Sequence, residues 1–321
     1  MAKHTSKNVT KLIWLTILSI AIALTYQFIF VDMKFFDFAM YIRTPKLITM
    51  IIAAFCIGTA SIVFQSIISN RIVTPCLLGM NGLYILVHVA IVFFLGTKSP
   101  LATKPLLSFG IDIAIMGVAG TIIYGYLFRK TKYNILYVLL SGTVMATLFT
   151  SLSNTMIRVM DPNEYDKLFG DLVAGFDHVN ADLIIVSLSL MLFVVVFFYK
   201  DIRLLDVISL GKNQAISLGV NYDKTVRRLL VAVTFFIAIA TALVGPISFL
   251  GLIIANLARE FFKTYKHFYL LLGSFLMGAI VLLGGQTLIE HLFGFGTEIS
   301  VFINLFGGMY FLYLVLKNKG N

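Results

Sequence analysis

Charge is what this chain has least of. Asp, Glu, Lys and Arg make up 12% of its 321 residues, 59% are hydrophobic, and the mean hydropathy is +0.95. A soluble globular domain cannot cover its surface with so few charges, so the chain reads as a polytopic membrane protein. Cysteine is nearly missing. Cys56 and Cys76 lie in or beside apolar runs and form neither a metal-ligand spacing nor a disulfide framework. The five histidines, His4, His88, His178, His267 and His291, show no His-x-x-x-His or Glu-x-x-His pairing, which argues against a metal site. No Gly-x-x-x-x-Gly-Lys-[Ser/Thr] occurs, so any step driven by ATP needs another chain to hydrolyse it. A nucleophile with its base is also lacking, which disfavours an intramembrane enzyme. No linker, low-complexity stretch or internal repeat divides residues 1–321, so one integral-membrane domain is expected.

What is present is a series of charge-poor runs. These are Leu12–Val31, Leu47–Asn70, Ile72–Thr97, Pro105–Phe128 with the single acid Asp112, Tyr133–Ile157, Leu183–Tyr199, Leu229–Ala258, Phe268–Ile289 and Ile299–Leu316. Each is near the ~20 residues that span a hydrocarbon core of ~30 Å. The run Leu229–Ala258 is too long: as a straight helix it would reach about 45 Å. Gly245-Pro246 stands in its middle, where the missing donor and the ring of proline break a helix. Splitting it gives an all-α protein of ten spans. The first run has no small-residue cleavage site and is expected to be a retained helix.

Ten spans put both termini on one side. With the termini inside, most of the 25 lysines and arginines are inside too, as in a protein with cytoplasmic termini. The excess of +10 is scattered between apolar runs, so topology explains it better than nucleic acid does. The outer loop after the fifth span then carries Asp161, Glu164, Asp166, Asp171 and Asp177.

Residues 204–219 are too polar to span, and follow the sixth span on the cytoplasmic side. Leu210-Gly211 and Leu218-Gly219 predict two short helices, each closed by a glycine able to take a left-handed backbone. Gly211, Ala215 and Gly219 are small enough for another subunit to approach closely, with Ala215 expected at the centre of an exposed helix. The other reading is a surface loop whose glycines only cap.

Two intramembrane features carry polarity. Thr143, Thr147, Thr150, Ser151 and Asn154 recur at helical spacing on one face, with Leu140, Val144, Leu148 and Leu152 on another. Such a stripe lines a water-filled path or bonds to neighbouring helices. Asp112 lies about two turns from the outer end of its run and is expected to reach the interface; a proton relay is the other reading. His88, inside a span, is expected to pack or hydrogen-bond.

Several stretches together resemble the iron-siderophore and cobalamin permeases of bacterial ABC importers. Arg43-Thr44-Pro45-Lys46, then Gly58, Gln65, Asn70, Pro75, Leu78 and Gly79, is one. The segment Leu210-Gly211, Ala215, Leu218-Gly219 is similar to the coupling segment of that family. The most specific is Gly245-Pro246-Ile247-Ser248-Phe249-Leu250-Gly251-Leu252-Ile253, followed by Asn256 and Arg259. The chain departs from the family pattern at Asn70-Arg71, where Asn-Pro is usual, and at Ala255-Asn256, where Pro-His is usual. It departs again at Glu298-Ile299-Ser300, and near Glu290-His291, where an arginine is common. With Asp161-Pro162-Asn163-Glu164-Tyr165 and Thr264-Tyr265-Lys266-His267, these departures resemble the branch serving catecholate or petrobactin-like siderophores.

The resemblance implies a transport subunit rather than an enzyme, in a bacterial plasma membrane. It implies cytoplasmic ATPase subunits under Leu210, Gly211, Ala215, Leu218 and Gly219, and a second permease, identical or paralogous, enclosing a path. Thr143, Thr147, Ser151 and Asn154 are the candidates for that path. An external siderophore-binding protein would dock at Arg43 and Lys46, and lipid would surround the spans. Iron arrives already chelated, so the permease is expected to need no cofactor or metal ligands. A cobalamin or heme permease of the same family is the nearest alternative; an ion-coupled secondary transporter would want a convergent mid-membrane charge.

Overall fold

The structure is a computed structural model that describes residues 2–131, 135–172, 174–176, 180–292 and 298–318. Asp177 and His178, Lys132 and the start of the run at Tyr133 lie outside the described residues. Among the described residues there is no strand. The helices are α1 (Ala2–Phe28), α2 (Phe36–Ile68), α3 (Met80–Leu95), α4 (Pro100–Thr103), α5 (Pro105–Lys130), α6 (Ile135–Val159), α7 (Pro162–Leu172), α8 (Ala181–Arg203), α9 (Leu205–Ile208), α10 (Lys212–Ser217), α11 (Tyr222–Val244), α12 (Leu250–Phe262), α13 (His267–Leu292) and α14 (Ile299–Asn318). By length and composition, α1, α2, α5, α8, α11, α13 and α14 are able to cross a membrane. The expectation of ten crossings also needs α3, α6 and α12, which fall outside that set of seven.

At the centre is α2, packed on α11 and α13; α11 packs in turn on α5 and α8, α13 on α1 and α12, and α3 on α6. Phe55 of α2 sets its ring edge against Phe236 of α11 and Phe275 of α13, at centroid distances of 6.1 and 5.6 Å. Lipid is as apolar as leucine, so close packing rather than water exclusion holds such helices together, and small residues permit it. Gly278 of α13 shows this: a Cβ there would lie 3.0 Å from Ala54 Cβ of α2.

The long apolar run does break at its Gly-Pro. Helix α11 ends at Val244, Gly245 stands at φ +92°, and α12 starts at Leu250. A Cβ on Gly245 would sit 2.8 Å from the Cα of Ala174, so the position requires glycine for space as well as for its dihedral. The break is tied to its surroundings. Gly175 N–H donates to Val244 O at 3.0 Å, Ser300 Oγ donates to Ala174 O at 2.6 Å, and Asn81 Nδ2 donates to Ser248 Oγ at 3.1 Å.

Candidate functional site

The segment after α8 folds as two short helices. Gly211 lies between α9 and α10 at φ +96°, and Gly219 follows α10 at φ +81°. The apolar residues of this elbow split into two sets. Leu205, Ile208 and Ala215 are buried in the main core, while Leu210, Ile216 and Leu218 are 55%, 53% and 62% exposed. The first set anchors the elbow; the second is left on its surface. Two pairs pin it, Lys212 to Asp223 at 2.9 Å and Asp206 to His267 at 2.6 Å, and Asp201 to Arg228 at 2.8 Å ties the end of α8 to α11 just before it. One expectation is corrected here. Ala215 is 0% exposed, so it faces the chain's own core and offers no surface to another subunit. The eight-residue spacing of glycines and leucines places the elbow but not the inward turn of its central alanine.

Beneath the elbow lies a hydrogen-bonded cluster that joins four helices. His267, the first residue of α13, directs Nδ1 and its backbone N–H to Asp206 Oδ1, at 2.6 and 2.8 Å. Facing a carboxylate, Nδ1 carries the proton. His267 Nε2 stands 2.8 Å from Ser66 Oγ of α2. Arg259 of α12 donates from Nη2 to the same Ser66 Oγ at 3.0 Å and from Nε to Gln65 Oε1 at 3.2 Å. Gln65 Nε2 and Asn256 Nδ2 both donate to Arg71 O, at 2.8 and 2.9 Å. Helix α2 ends there because Ser69 takes a left-handed backbone, φ 54°, and Asn70 N–H bonds Gln65 O. Gly251 lies against Ser61 with no room for a Cβ, which brings α12 close to α2. The stretches Gln65–Arg71 and Gly251–Arg259, far apart in sequence, therefore form one site. Two of the departures from the family pattern, Arg71 and Asn256, are hydrogen-bonded to each other. A cavity of about 660 Å³ opens beside this cluster, with Ser209 of the elbow on its wall.

The stripe of α6 is at the surface. Thr143, Thr147, Ser151 and Asn154 are exposed, and so are Leu140, Val144, Leu148 and Leu152. A third, narrower face holds the helix to the protein: Gly142 on Leu78, Ala146 on Gly79, and the buried Ser153. Thr143 and Thr147 bond carbonyls of their own helix at 2.9 Å, so these hydroxyls make no bridge to a neighbouring helix of this chain. Among the described residues, nothing covers the stripe.

At the other end of the molecule, Arg43 caps α1. Its Nη1 donates to Tyr26 O, Gln27 O and Ile29 O at 3.0, 3.3 and 2.9 Å, and its guanidinium stands 5.9 Å from the Tyr26 ring. Lys46 is buried. Both cations therefore have work inside the chain, where the sequence suggests docking on an external protein.

Asp112 differs from expectation. It does not reach an interface: it is 2% exposed, and its Oδ1 lies 3.4 Å from His88 Nδ1. Neither of those two atoms has a hydrogen bond. The run containing Asp112 is covered on that side by α3, which sequence periodicity alone does not place. Both residues line a cavity of about 750 Å³ bounded by α3, α5, α7 and the Gly245 break.

These features define a class: an all-helical membrane transport subunit, with a folded elbow on one side and no nucleotide motif of its own. More narrowly, the chain belongs to the FecCD transport family, which matches it over residues 8–317. The petrobactin import system permease protein YclO of Bacillus subtilis is 38% identical over 303 residues, covering 94% of this chain and 96% of that protein. The corresponding FatC of Bacillus anthracis is 33% identical over 277 residues, covering 86% and 78%. A transporter of metal-chelate ABC type, solved in an inward-facing conformation, superposes with a TM-score of 0.77 over 97% of this chain and 99% of its own, at 22% identity. That likeness is one of fold.

Proposed function

We propose that this chain is the permease of an ABC importer that carries iron-loaded siderophores of the catecholate or petrobactin type across the bacterial plasma membrane. The substrate class rests on the two petrobactin permeases it resembles. The mechanism rests on one observation above the others. The elbow is fixed to the core by Leu205, Ile208 and Ala215 while it holds Leu210, Ile216 and Leu218 outward. A rigid knob with an apolar tip is suited to a groove on an ATPase that closes when nucleotide binds, since coupling needs contacts that differ between two states.

In this reading the chain crosses ten times with its termini in the cytoplasm. A second permease faces the exposed side of α6, and the path runs between the two stripes. An external binding protein delivers the chelate to the end where α1 and α2 meet. Cells lacking this protein, supplied with one iron-loaded chelator at a time, test the substrate. Loss of uptake from petrobactin or a related catecholate, with hydroxamate and heme uptake intact, is the expected result. Loss of heme uptake alone would overturn the substrate class.

A further inference from the structure

The cytoplasmic cavity beside the elbow is short of negative charge. Its wall carries Arg71, Arg259 and Lys263 against one carboxylate, Glu260, which stands 3.7 Å from Lys263. Arg259 bonds only neutral oxygens, those of Gln65 and Ser66, and Arg71 acts on it as a like charge. Among the described residues, no carboxylate lies within ion-pair distance of either arginine. The nearby Asp206 is engaged by His267. Two guanidinium groups held together this way favour an anion between or beside them.

The place narrows the source. Ser209 forms part of the cavity wall, and the next residue, Leu210, begins the exposed apolar tip of the elbow. A subunit seated on Leu210, Ile216 and Leu218 therefore meets the chain one residue away from the cavity wall. Most of the remaining lining side chains are polar, including Ser69, Asn70 and Thr264; Tyr265 is the large aromatic among them, and a single ring is a short track for an acyl chain. We infer that the cavity receives a carboxylate side chain of the ATPase subunit at the rim of the elbow contact. This inference rests on the reading that the elbow seats the ATPase. Such a charged contact would set the register of a knob whose apolar tip is not directional.

The test is binding of the ATPase subunit to full-length permease in membranes of zwitterionic lipid only, repeated in membranes containing anionic phospholipid. The double variant Arg71→Glu, Lys263→Glu changes two side chains that lie outside the hydrogen-bonded cluster. It should weaken binding at least tenfold at low salt, with a smaller difference at high salt. One acid-to-lysine substitution on the ATPase should then restore binding to the double variant. Leu218→Glu, measured alongside, reads the elbow contact by itself. Wild-type binding by the double variant, with Leu218→Glu impaired, would overturn the cavity assignment and leave the elbow reading standing. Unimpaired binding by Leu218→Glu would overturn the elbow reading and this inference with it. A loss confined to membranes containing anionic phospholipid would assign the cavity to a lipid headgroup instead and overturn the inference.

Discussion

Two buried polar clusters of this chain are built in opposite ways. Under the elbow, Gln65, Ser66, Asn256, Arg259 and His267 each have hydrogen-bond partners, and the partners come from different helices. Between α3 and α5, His88 Nδ1 and Asp112 Oδ1 face each other at 3.4 Å with no hydrogen bond on either atom. A satisfied network fixes geometry, because every rearrangement leaves a buried donor or acceptor without a partner. An unsatisfied pair costs free energy and fixes little. The first cluster is thus suited to carry displacement from the elbow into α2, α12 and α13. The second lines a cavity and leaves both facing atoms without a hydrogen bond.

Substitutions can break this contrast, starting with the largest effect. Asn256→Ala removes the bonds to Arg71 O and Leu252 O, at 2.9 Å each, and strips one partner from a carbonyl at the end of α2. A loss on the order of 2 kcal/mol is expected, read as a lower melting temperature in detergent. Ser66→Ala is next. It leaves Arg259 bonded to Gln65 and His267 bonded to Asp206, so about 1 kcal/mol is expected in the same measurement. Least affected should be the double variant His88→Leu, Asp112→Leu. Replacing a buried, poorly bonded pair by apolar groups is often neutral or stabilising, so its melting temperature should equal or exceed that of the wild type. A large drop would show that the pair is bonded in a way the contrast denies.

Much of the fold is legible in the sequence, because apolar runs long enough for a bilayer leave few other structures for a chain to take. The Gly-Pro break and the two glycines of the elbow are legible for the same kind of reason: each demands a backbone that other residues avoid. What is not legible depends on which helices touch. Asp206, His267, Ser66 and Arg259 come from four elements and share no spacing rule, so nothing in the order of residues joins them. The one hint is that Arg71 and Asn256 both depart from the pattern of the family, and in the structure they are partners. Ala215 is misread because a six-residue helix, Lys212–Ser217, is too short for periodicity to say which side is buried. Arg43 is legible as a cation at the end of a span, but its three carbonyl partners, two in the last turn of α1 and one just past it, are not.

The central claim is that the exposed tip of the elbow takes up the work of ATP hydrolysis. Leu218→Glu tests it most directly, since Leu218 is 62% exposed and its replacement should change the stability of the permease by no more than about 0.5 kcal/mol. In proteoliposomes containing the whole importer and its binding protein, the account predicts an inserted permease of normal melting temperature. Siderophore-stimulated ATP hydrolysis and uptake should both fall at least tenfold. Normal stimulated hydrolysis by the Leu218→Glu complex would contradict the account.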